Sequence, residues 1–175
     1  MKHLVAESLV LPNEIDVNQL DAKYRKATMN MILSSKACEN VLQSVPGVPK
    51  NDISVIFATH FGEVESSLDF LSSYSQTKTP SPILFQNSLH NSSLGFSSLV
   101  LKLTGPGLTI STDSLTEISA HKTADALLSW TPYVLVCFID YIPNELISRY
   151  LINHPYLEKF HNRAHAFLYQ AKSHD

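Results

Sequence analysis

Cysteine, glycine and long apolar runs are all scarce in this chain of 175 residues. The two cysteines, Cys38 and Cys137, lie far apart in apolar surroundings, so no disulfide framework is expected and a reducing cytoplasm suits them. The five glycines form no glycine-rich phosphate loop, which argues against a nucleotide-binding enzyme of that type. No apolar stretch approaches the roughly 20 residues needed to cross a bilayer, so no membrane span is expected. The first residues, Met1-Lys2-His3-Leu4-Val5-Ala6-Glu7, lack the apolar region of a secretory signal. A net charge of −3 gives no pull toward nucleic acid.

What is present describes a compact α/β protein. Apolar residues make up 44% and charged residues 17%, a balance that folds. Residues 3–10 alternate weakly and predict an edge strand. Leu20, Tyr24, Ala27, Met31, Cys38 and Leu42 keep helical spacing, which predicts a helix over 18–44, stopped by Pro46-Gly47-Val48-Pro49. Ile53–Ala58 reads as a buried strand, 63–74 as a helix and 75–82 as a loop. A helix rich in small residues is expected over 87–103, ended by Gly105-Pro106. A short strand at 108–111 and a helix over 114–129 follow. The apolar run 133–139 is the strongest strand signal. Two helices are expected around Pro155, over 144–153 and 156–171. Strands alternating with helices imply a layered α/β domain with a largely parallel sheet and helices on its faces.

Several residue sets invite a chemical reading. His161 and His165 are four apart on an expected helix, a spacing that can hold a metal, but no glutamate follows His161 and surface histidines are the better reading. No metal or cofactor is expected. His60 and His90 sit beside turns, where a hydrogen-bonded structural histidine is favoured over a pocket residue. Glu63 and Glu65 read as a helix start rather than a carboxylate pair. Asp140 reads as a turn residue closing its strand. Lys23-Tyr24-Arg25-Lys26 is a small basic cluster, read as a solvated helix face. Ser114-Leu115-Thr116-Glu117 has the form of a capping box. A hydrolase elbow is absent, because Thr112 and Thr116 stand at its glycine positions.

One ordered set of residues resembles a known family. Asn87-Ser88-Leu89-His90-Asn91-Ser92-Ser93-Leu94-Gly95-Phe96-Ser97-Ser98 is followed by Leu103-Thr104-Gly105-Pro106-Gly107-Leu108-Thr109-Ile110-Ser111-Thr112-Asp113-Ser114. Condensing enzymes of the thiolase fold carry a similar segment, with the nucleophilic cysteine eight residues after the Gly-Pro turn. Here that position is Ser114. Residues 53–65 and 133–141 resemble the strands on either side of that segment. The resemblance covers about 20–142 and is closest to short ketosynthase-like chain length factors of aryl polyene and type II fatty-acid-like systems. It implies one ketosynthase-like domain over 1–175: half of a thiolase-like fold over 1–142 and a helical tail over 143–175.

The resemblance also implies a function without catalysis. A condensing cysteine works through a thiolate, and a serine hydroxyl needs a neighbouring base to react. Asp113 beside Ser114 disfavours developing negative charge. The family's two histidines belong to His-Gly-Thr and Asn-x-x-x-Gly-His motifs, neither of which is present. The chain is therefore expected to be a non-catalytic subunit that forms a heterodimer with an active β-ketoacyl-carrier-protein synthase; an acyl carrier protein is a possible further partner. Pairing is expected along Gly107, Leu108, Thr109, Ile110, Ser111 and Thr112, with Asn91, Ser92 and Gly95 beside them. Ser92, Ser93, Gly95, Ser97 and Ser98 are expected to let a neighbouring backbone approach. Phe85, Leu89, Phe96 and Leu115 are expected to line or block an acyl tunnel. A small acyltransferase or thioesterase using Ser114, and a homodimeric scaffold without a synthase partner, remain open.

Overall fold

The computed structural model describes residues 2–112, 114–147 and 161–172. Five strands form one sheet: β1 (Lys2–Val10), β2 (Ile53–Ala58), β3 (Gly107–Ile110), β4 (Tyr133–Asp140) and β5 (Arg163–Ala171). The order across the sheet is β1-β5-β4-β2-β3. β2 pairs in parallel with both β3 and β4, while β5 runs antiparallel to β4 and β1. β1 is an edge strand, as its weak alternation suggests; β3 is the other edge.

The α-helices whose bounds lie within the described residues are α1 (Met29–Ser44), α2 (Val64–Thr77), α3 (Pro82–Asn87), α4 (Ser92–Leu101) and α5 (Thr116–Leu127). The alternation along each strand separates two cores. Val55, Phe57, Leu135, Cys137 and Leu168 face a cluster built with Leu33, Ala37, Cys38 and Val41 of α1 and with Leu94 and Leu101 of α4. Ile56, Ala58, Val134, Val136 and Phe138 face Ala120 and Ala124 of α5. Every residue of β2 is buried, which accounts for its unbroken apolar run. Both cysteines are free and buried. No described helix is long and apolar enough to cross a membrane.

Several expected elements are corrected. The helix expected over 18–44 starts only at Met29. Before it the chain makes short 3₁₀ turns, because the side chains of Asp16 and Asp21 accept from the amides of Asn18 (3.0 Å) and Lys23 (3.1 Å). Thr28 then caps α1 by accepting from the amide of Met31 at 3.2 Å. α2 continues to Thr77, into the expected loop, and ends on Lys78 in the left-handed region. The helix expected over 87–103 is shorter, α4 at Ser92–Leu101; a separate short helix, α3, precedes it and ends at Asn87.

The larger correction is the tail. Residues 163–171 are expected to be helical and instead form β5, so the sheet is mixed rather than largely parallel. Alanine favours helices, but Ala164, Ala166 and Leu168 fall at every second position and are all completely buried between β1 and β4. Residues 144–147 are helical, as expected; the rest of both expected tail helices up to residue 160 lies outside the described residues.

The turn before β3 depends on one glycine. A Cβ on Gly105 would run into the carbonyl oxygen of Ile53, at the start of β2. Gly105→Ala is therefore expected to push the β3 turn away from β2 and to cost about 1–3 kcal/mol. Chemical denaturation of both proteins checks this, with Gly95→Ala, where an added Cβ meets nothing and the backbone is helical, as a control for adding a methyl group.

Candidate functional site

In an open α/β sheet, ligands gather beyond the carboxyl ends of the parallel strands. Here those ends carry Thr59-His60 after β2, Ser111 to Ser114 after β3 and Asp140 at the end of β4. Asp140 organises them. Its carboxylate accepts from the Thr59 hydroxyl (2.6 Å), the backbone amides of His60 (2.9 Å) and Phe61 (3.1 Å), and faces His60 Nδ1 at 2.8 Å. The Thr59 oxygen also accepts from the amide of Gly62 at 2.8 Å. Gly62 has a φ of +57°, and the His90 ring lies where its Cβ would be. A turn held this way fixes the direction of the His60 ring. The hydrogen bond to the Asp140 carboxylate, aided by its charge, raises the pKa of His60 against the lowering effect of burial.

Next to this turn lies a second buried carboxyl. Glu63 is only 4% exposed. It accepts from the hydroxyls of Thr28 on the α1 cap (2.9 Å) and Ser93 on α4. Burial raises its pKa, opposed by the hydrogen bonds from Ser93, Thr28 and Asn30. Glu63 stands at the start of α2, as expected, and is also an internal link to the α1 cap and α4. Ser97 extends the link: its hydroxyl meets those of Ser34 (3.2 Å) and Ser35 (3.0 Å) of α1. Ser93 and Ser97 thus serve close packing inside the chain, where the small residues of α4 are expected to face a partner.

The expected nucleophile position is in the turn ahead of α5. Ser114 is exposed, and it does not cap the helix. The N-cap is Leu115, without a side-chain hydrogen bond, so the expected capping box is not formed. Thr116 takes its place: its hydroxyl accepts from the amide of Thr112 at 2.9 Å and also bonds the Thr112 carbonyl. Asp113 lies outside the described residues. His161 and His165 share no helix; His165 is on β5, 3.6 Å from Glu7, with its ring centre 4.0 Å from that of Phe167 in a tilted arrangement. Lys23 of the basic cluster pairs with Glu39 at 3.6 Å.

The residues of the expected interface and tunnel are placed as follows. Gly107, Leu108, Thr109 and Ile110 form β3, paired on one side with β2; Ser111 and Thr112 are exposed beyond it. Asn91 and Gly95 are exposed near the start of α4, and the Ser92 hydroxyl bonds the carbonyl of Gln86. Phe85 packs on Phe70 of α2 with ring centres 5.6 Å apart, and Phe96 packs on Tyr24 at 5.8 Å. Leu89 and Leu115 are exposed. None of these four lines the cavity beside Glu63. Asp140 and Glu63 are named in the sequence as a turn residue and a helix start, but the hydrogen-bond networks they gather were not foreseen. A carboxylate ending an apolar parallel strand opposite Thr-His was the available signal for the first.

The sequence model of one family, described as the β-ketoacyl synthase amino-terminal domain, matches residues 14–159. No curated protein matches the chain. Among solved structures, one similar fold comes from the complex of the ketosynthase ApeO with its chain length factor ApeC from Xenorhabdus doucetiae: 17% identity and a TM-score of 0.72, over 99% of this chain and 80% of that one. Another is the ishigamide ketosynthase/chain length factor, at 17% identity and 0.70, over 89% of this chain and 48% of that one. A third is the AntDE:AntF complex, a type II polyketide acyl-carrier protein with its ketosynthase, at 15% identity and 0.68, over 90% and 52%. The chain thus spans about half the length of the latter two.

The Asp140–His60 pair makes stability depend on pH. Folding favours the imidazolium, so the contribution is complete below about pH 6.5, the ordinary histidine value, and fades as pH rises through the raised folded value. Around His60 the facing charges are Asp140, Glu117 and Arg163. His60→Gln is expected to flatten this part of the profile. Asp140→Asn is expected to flatten it and also to cost about 2 kcal/mol or more, because buried donors lose a charged acceptor. Urea midpoints across pH 5.5–8.5 for the three proteins check both outcomes.

Proposed function

We propose, from the premise that the chain belongs to the β-ketoacyl synthase family through its amino-terminal domain, that it is a non-catalytic, chain-length-factor-type subunit that pairs with an active β-ketoacyl synthase. The observation that carries this reading is Ser114. It stands at the turn where the family's condensing enzymes hold a cysteine, and a serine there offers no thiolate to accept an acyl chain. Two features support the pairing. β3 is a sheet edge with one side unpaired among the described residues, and such an edge favours strand addition. Leu108 on β3 and Phe85, Leu89 and Leu115 nearby in sequence expose apolar side chains, an arrangement suited to a covered surface. The reading places the protein in the cytoplasm, in an acyl-chain-building system of the aryl polyene or polyketide kind, with those apolar residues bordering the partner's acyl tunnel.

A second reading keeps Ser114 as a nucleophile in a small acyltransferase or thioesterase. One observation favours it: the Asp140–His60 pair, a carboxylate orienting an imidazole, is at the same end of the sheet. The two readings separate cleanly. The subunit reading expects no adduct when the purified chain meets a medium-chain acyl thioester. A stable acyl mass on Ser114, absent in Ser114→Ala and reduced in His60→Gln, would establish the enzyme instead.

Pairing has its own test. Co-expressed with a cysteine-containing β-ketoacyl synthase from the same organism, the chain is expected to elute as a one-to-one complex. Leu108→Asp, which places a charge on the exposed edge strand, is expected to weaken that complex at least about tenfold while leaving the circular dichroism spectrum unchanged. A chain that stays monomeric with the synthase present sinks the reading, and a self-dimer indifferent to the synthase supports the scaffold alternative.

A further inference from the structure

Beside Glu63 lies a small cavity bordered by Asn30, Phe57, Thr59, Gly62, Glu63, His90, Ser93, Thr109 and Ile139, about 10 Å³ in volume. Two of the bordering side chains leave a polar atom out of reach of solvent and without a hydrogen bond among the described residues: Asn30 Oδ1 and Thr109 Oγ1. Asn30 is only 5% exposed. Its amide cannot be turned round to remove the problem. The nitrogen already donates to the Gly62 carbonyl at 2.7 Å, and a flip would set two carbonyl-type oxygens against each other. Leaving either atom dry costs about 1–3 kcal/mol.

We propose that this cavity is a binding site for one internal water molecule that ties the edge strand β3 to α1. The water donates to Asn30 Oδ1 and accepts from the Thr109 hydroxyl, and its second hydrogen faces the Glu63 carboxyl. Size and ligand number select water over a cation. A volume near 10 Å³ holds about one water, whereas a bound potassium or calcium ion needs roughly six to eight oxygens, and only two here are uncommitted. The consequence is structural coupling. β3 has four register pairs with β2 and no strand on its other side among the described residues. The water gives it a second anchor, running through Asn30 to the Gly62 turn and through Glu63 to α4. This inference does not rest on the chain's being a synthase partner.

A high-resolution crystal structure of the full chain is the test, with nuclear Overhauser transfer from water to the Thr109 and Ile110 amides as the solution counterpart. One solvent peak about 2.7–3.2 Å from both Asn30 Oδ1 and Thr109 Oγ1 is expected. Thr109→Ser is expected to keep it and Thr109→Val to lose it. An empty cavity, a Thr109 hydroxyl turned onto a protein acceptor, or a peak that persists in Thr109→Val overturns the proposal. So does an anomalous signal at the site after soaking in rubidium chloride, which would make the ligand a cation.

Discussion

The carboxylate of Asp140 is the constraint on which the functional end of the sheet depends. Parallel strands leave their last amides without partners where the chain turns away, and these must be satisfied where water is excluded. Here one side chain from β4 collects two backbone amides, a hydroxyl and an imidazole from the β2 turn. It thereby locks two neighbouring strands at the same level and sets the geometry of Gly62 and Glu63. An asparagine could accept at one atom only, so the charge and both oxygens matter. Burying the carboxylate costs desolvation, and the four groups directed at it offset that cost.

From that turn the polar contacts continue inward as a connected path. Glu63 receives hydroxyls from α1 and α4, and the serines of those two helices meet one another across their contact. A polar helix contact is less adaptable than an apolar one: each hydroxyl requires a partner at a fixed place, so relative sliding of α1 and α4 breaks several bonds together. Ser34 and Ser35 also bond carbonyls of their own helix, which keeps them satisfied if Ser97 moves. The small side chains bring the helices close, and the hydroxyls then fix their register. This explains why α4, expected to offer its serines to a partner, uses Ser93 and Ser97 for its own fold and leaves Gly95 and Leu99 outward.

Much of the fold was legible because burial was extreme. β2 and β4 are buried nearly throughout, and continuous β-branched and aromatic runs mark them in the sequence. β5 was not legible: its inward residues are alanines and a leucine, whose preference is helical, and only its pairing with β1 and β4 makes it a strand. The start of α1 was misread because the apolar spacing of Leu20 and Tyr24 continues the helix pattern, although aspartates at 16 and 21 compete for the backbone. At the site, the turn between β3 and α5 was legible from the Gly-Pro pair and the strand and helix signals that follow it. The hydrogen-bond networks of Asp140 and Glu63 were not, since their partners lie 80 and 30 to 35 residues away in sequence.

The turn ahead of α5 separates the residue that holds the helix start from the residue exposed beside it. In a working enzyme the residue at the helix start must be reactive, which needs exposure and a positive local potential. In this chain the helix start is secured by Thr116 bonding back to Thr112, and the residue at 114 is exposed with no capping duty. The structural and chemical requirements therefore fall on different residues two positions apart. A cysteine could be exchanged for serine at that position without loosening α5, the sheet face beneath it or the edge strand beside it. Retention of the fold is thus no argument for retention of a nucleophile. What the geometry does hold in place is the β3 edge, paired with β2, beside a helix terminus secured by Thr116.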